Sequence, residues 1–130
     1  MIKCLGKRGS IIAWNASFER GVMKELANSF PEYAPELFAF TQRLVGPIPI
    51  FRFAYLHPKA QGSASIKIVG KALLPNQDYS EMEVSDGNEA FVTWHNWING
   101  QATETAEQAL LDYCHQDTLI PLNLLKVIEP

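Results

Sequence analysis

The segment RGSIIAWN, residues 8–15, sets the tightest limit on the fold this chain can adopt. After a basic, glycine-containing entry, Ile11, Ile12, Ala13 and Trp14 form a near-continuous apolar run, the pattern of a strand buried on both faces. One strand cannot make a sheet. The second candidate is Ile50 to Leu56, a short extended segment inside the proline-rich stretch GPIPIFRFAYLHPKAQGSAS. The remaining periodic stretches read as helices. Ser17 is placed to cap a helix in which Val22, Met23, Leu26, Ala27 and Phe30 recur, and Pro31 stops it. Leu37, Phe38, Phe40, Thr41 and Leu44 mark a second helix from Pro35 to about Val45. A third, capped by Ser63 or Ser65, runs through Leu74 to Pro75, and a fourth follows an Asp86-Gly87 turn from about Asn88 to Ile98. The last opens at Thr105, where Gln108 completes a threonine-x-x-glutamine capping box, and runs to about Val127 with a kink expected at Pro121. Strand followed by helix predicts an α/β class, helix-rich with few strands.

A chain of 130 residues with 47% apolar content is long enough for a single domain with a real core, residues 1–130. A net charge of −3 excludes a polycation, so nucleic-acid binding has to come from a local patch or from metals. Cys4 and Cys114 sit in no ligand spacing, which points to a reducing cytoplasm. No apolar run is long enough for a bilayer, and no charged-then-apolar leader opens the chain, so no membrane partner is expected. His57, His95 and His115 share no ligand spacing either, and His95 lies in the aromatic stretch TWHNW, which reads as core or interface.

Two stretches carry chemistry. WNASFER places Asn15, Phe18 and Glu19 at the exit of the strand, a common way to deliver a carboxylate into a site. YCHQDT places Tyr113 and Asp117 four residues apart on one helical face, near the stripe of Leu110 and Leu124, so that Asp117 points inward. An inward acid needs a partner or a metal. The plain alternative is a structural aspartate, hydrogen-bonded near a helix end or paired with a lysine.

Together the two stretches resemble the second and third motifs of the DnaQ-like 3′–5′ exonucleases, which have a ribonuclease-H-like fold. GSASIKIVGKALLP, YSEMEVSDGNEA and YCHQDTL further resemble one bacterial branch of that superfamily, a domain of unknown function; the likeness spans most of residues 9–128. It implies a partial ribonuclease-H-like fold and metal-dependent hydrolysis of nucleic-acid phosphodiesters. Glu19 and Asp117 would ligate Mg²⁺ or Mn²⁺, and Tyr113 would orient the attacking water, since a free tyrosine is a poor base at neutral pH. Asn15, Phe18 and Lys67 would face the 3′ end of a single-stranded substrate. Two departures stand out: Glu19 replaces the usual aspartate, and Gly46 stands where an aspartate is common.

The superfamily's first motif, aspartate-x-glutamate on an earlier strand, has no counterpart before Glu19. The resemblance therefore implies the C-terminal part of a larger exonuclease-like domain, inactive as this chain alone, with a two-metal site expected only when the first motif is present. The rival reading is a non-catalytic binding or assembly module. An uncovered strand 10–14 would in either case favour a homo-oligomer, most simply a two-fold dimer.

Overall fold

The computed structural model describes residues 2–77 and 79–129. The chain divides into two compact units, Met1–Leu56 and His57–Pro130.

In the first unit, β1 (Ile11–Ile12) leads into α1 (Ala16–Ser29); a 3₁₀ turn, Pro31–Tyr33, carries the chain into α2 (Ala34–Arg43), and β2 (Leu44–Val45) follows at once. The two strands are parallel, with Ile11 opposite Leu44 and Ile12 opposite Val45. Parallel strands need a long crossover, and here α1 and α2 supply it. Asn15, rather than Ser17, caps α1: its side chain accepts from the Phe18 N–H at 3.3 Å. Two turns of α1 and one face of α2 close over β2, burying Met23, Ala27, Leu37, Phe40 and Leu44 together, with Ile11 and Ala13 packed against them.

Two arginines fasten this unit. Arg20 Nε and Nη2 donate to the carbonyls of Thr41 and Leu44 at 3.2 and 3.1 Å, filling acceptors that the end of α2 leaves open. Arg43 donates to the carbonyls of Leu5, Gly6, Arg8 and Gly9 at 2.7–3.0 Å, tying down the N-terminal loop. Gly46 is required where β2 leaves the sheet: a Cβ there would stand 3.0 Å from Ala16 Cβ and 3.1 Å from the Ala16 nitrogen.

The second unit contains a 3₁₀ turn, Pro58–Ala60, then α3 (Ile66–Leu73), α4 (Gly87–Ile98) and α5 (Ala106–Ile128). Its centre is Val69, Val84, Ile120 and Leu124, all at most 2% exposed. Gly70 lets α3 approach α5 closely, since a Cβ would lie 3.1 Å from Ile120 Cγ2. Asp86 caps α4 through the N–H groups of Asn88 and Glu89 at 2.8 and 3.0 Å. No helix among the described residues is long and apolar enough to cross a membrane.

These elements overturn the partial ribonuclease-H-like fold class. Among the described residues the sheet is two strands of two residues each, too small to be the central sheet of that fold. The reasons are local. Ile12 is 47% exposed, so the strand is not buried on both faces, and Trp14 turns out of it to stack on Phe51, with ring centroids 5.2 Å apart. The second strand candidate, residues 50–56, winds instead into a π-helical turn, Ile50–Ala54. The capping box at Thr105 does not form either: the Thr105 hydroxyl donates to Glu83 and Gln108 donates to Asp112. α5 continues through Pro121.

Candidate functional site

The residues singled out in the sequence fall into one group in each unit. In the first, the turn from β1 into α1 holds Asn15, Phe18 and Glu19 side by side. The Glu19 N–H donates to the Asn15 carbonyl at 3.1 Å, and Glu19 is half-buried in the first turn of α1. Phe18 is 63% exposed.

In the second unit, α5 presents Tyr113 and Asp117 on one face, as their spacing requires. The Tyr113 hydroxyl lies near enough to the Asp117 carboxylate to feel its charge. A residue that the sequence did not single out completes the group: Tyr79, buried in the loop between α3 and α4, donates its hydroxyl to Asp117 Oδ1 at 2.5 Å. The two tyrosine rings are 6.0 Å apart. Lys67 Nζ, from the first turn of α3, lies 5.6 Å from the centre of the Tyr79 ring, a cation–π arrangement. Sequence periodicity had no means of finding Tyr79, because it lies in an irregular stretch where spacing carries no facing information.

Burial first, and then the negative Asp117 beside it, raises the Tyr79 hydroxyl well above the ordinary tyrosine range. The same two causes push Tyr113 up to about 12. Both phenols are therefore protonated donors at neutral pH, and neither is a base. What the cluster can do chemically is hold one carboxylate in a fixed orientation. Among the described residues no three histidine, cysteine, aspartate or glutamate side chains come together as a metal site. Neither unit by itself fits a two-metal centre.

A domain of unknown function, DUF2779, matches residues 1–65, half of the chain. The chain belongs to that family. The DUF2779 match takes in the whole first unit and stops before α3. No curated protein and no solved structure matches the chain. The likeness to a domain of unknown function is thus shown over the first half of the sequence, and an exonuclease affiliation forms no part of the DUF2779 match.

Proposed function

We propose that the full-length protein hydrolyses nucleic-acid phosphodiesters with Mg²⁺ or Mn²⁺, acting on a single-stranded 3′ end, and that this chain contributes Glu19, Tyr113 and Asp117 to the reaction. The observation that supports this reading is the orientation of Asp117: a half-buried carboxylate held by the Tyr79 hydroxyl, with Tyr113 beside it one helical turn away, the tyrosine–aspartate pair the resemblance called for. Bound metal would supply activated water and steady the leaving oxygen. The protein's own contribution is to aim the Asp117 carboxylate and keep a neutral tyrosine donor beside it.

Manganese-induced relaxation of water protons tests the reading on this chain directly. Weak binding is expected, and Asp117→Asn, which keeps the side-chain shape and removes the charge, should abolish it. Unchanged binding in Asp117→Asn would refute the role of Asp117.

The second reading, a binding or assembly module, is favoured by a separate observation. α4 has no buried residue and exposes Phe91, Trp94, Trp97 and Ile98. Its occupant in that reading is a second copy of this chain.

A further inference from the structure

The first unit contains a cleft of about 640 Å³ lined by Trp14, Asn15, Ser17, Arg20, Gly46 and Arg52, among others. It opens where the two parallel strands end. The chain leaves β1 through Trp14 and Asn15 into α1, and leaves β2 through Gly46-Pro47-Ile48-Pro49 into the π-helical turn. The carboxyl ends of parallel strands are where open α/β sheets place their ligands. Two prolines and the close Gly46–Ala16 contact make one wall stiff. Trp14, backed by the Phe51 ring, makes another.

Its charge is what distinguishes this cleft. The chain carries 14 acidic against 11 basic residues, yet the lining holds two arginines and no acid. Arg20 is fixed by its two carbonyl acceptors, which leaves the N–H groups of Nη1 to face elsewhere. Arg52 projects from the π-helical turn, exposed, with no hydrogen bond to another described residue. At the start of α1 the Asn15 side chain already takes the Phe18 N–H group.

We propose that this cleft binds a phosphorylated ligand with a planar ring, a mononucleotide in class, with Arg52 and Arg20 on the phosphate and Trp14 beside the ring. A guanidinium fork matches phosphate oxygens in pairs. The volume suits a phosphate with an organic group better than a bare ion. None of this requires the hydrolytic reading, since neither Glu19, Tyr113 nor Asp117 lines the cleft.

Calorimetric titration of the whole chain with a nucleoside monophosphate, inorganic phosphate and the uncharged nucleoside, all in EDTA, separates this site from any metal site. The monophosphate should bind, and more tightly than either half alone. Arg52→Ala should weaken it about tenfold or more, the loss of a charged hydrogen-bond pair, while Arg52→Lys should fall between the two. Arg52 is exposed, so these variants should keep the circular dichroism of the parent; Arg20 is a poorer probe because it also fastens α2. Equal affinity in the parent and Arg52→Ala, or no saturation by the monophosphate at millimolar concentration, would overturn the site. Inorganic phosphate binding as tightly as the monophosphate would overturn the nucleotide assignment.

Discussion

Asp117 shows how much one residue's partners decide. A lone acid on an inward helical face is costly until a donor reaches it, and here Tyr79 does so, with Tyr113 close by. Tyr79→Phe removes a buried donor to a charged acceptor, so it should cost roughly 1.5–3 kcal/mol in urea unfolding of the second unit. The pH dependence has a definite sign. Both hydroxyls titrate above the unfolded value near 10, so between those values the unfolded chain binds fewer protons than the folded one. The contribution of the two hydroxyls is then constant below about pH 10 and falls as pH rises towards 12 and beyond. Tyr113→Phe should flatten the part of that fall between about 10 and 12; a fall of the same depth in Tyr113→Phe would show that Tyr113 is not held as described. The Tyr113–Asp117 spacing was legible in the sequence because a helix fixes which residues share a face. Tyr79 was not, because it reaches Asp117 from an irregular loop 38 residues earlier, and no local pattern records such a contact.

At the scale of elements, helix bodies were legible and their beginnings less so. The apolar repeats of α1 and α2 announced the core that Met23, Ala27, Leu37 and Phe40 make. The caps shifted because several side chains compete for each one: Asn15 sits one residue before α1 and takes the cap that Ser17 was placed to fill, and Thr105 gives its hydroxyl to Glu83 instead of its own helix. The strands failed for a different reason. A β pattern is satisfied only by neighbours, and Ile11–Ile12 finds a partner of two residues. The start of α4 is a case where capping can be tested. The N–H groups of Glu89 and then Asn88 hold the Asp86 carboxyl below the usual carboxylate range, and the Ser85 N–H and hydroxyl do the same for Glu89. Depressed values mean that the stabilisation is present above the unfolded values, near pH 4, and is lost as pH falls through and below them. Amide exchange at residues 87–90 should therefore quicken on acidification, after correction for intrinsic rates. Asp86→Asn, which keeps a cap without the charge, should make that protection less pH-sensitive. Equal sensitivity in both proteins would contradict the ionic part of the cap.

For the whole molecule, the open matter is what covers α4. Phe91, Trp94 and Ile98 follow at i, i+3 and i+7, one stripe of a helix, and all are more than 40% exposed; Trp97 and Val92 flank them. Phe91 and Trp94 already touch, with ring centroids 6.3 Å apart, so the stripe is partly ordered before anything binds it. Glu89 is the only charged residue among the 12 of α4. A face without charge has nothing with which to steer a basic or acidic partner, and another uncharged face suits it. A second copy offers that face at equal concentration through a two-fold contact. Aromatic side chains bury 150–250 Å² each, and with these about half covered already the face offers on the order of 300–400 Å² per copy. That is short of the roughly 800 Å² per partner of a standard interface, so the dimer should be weak, with dissociation in the range of tens to hundreds of micromolar. Sedimentation equilibrium over roughly that range should show reversible dimerisation, and Trp94→Glu should abolish it. Ile12→Lys distinguishes this contact from pairing at the strand edge, the surface expected from the apolar run around Ile12: it should leave the dimer intact. Dimerisation lost in Ile12→Lys and kept in Trp94→Glu would move the interface to β1, and a monomer at every concentration would remove the assembly reading altogether.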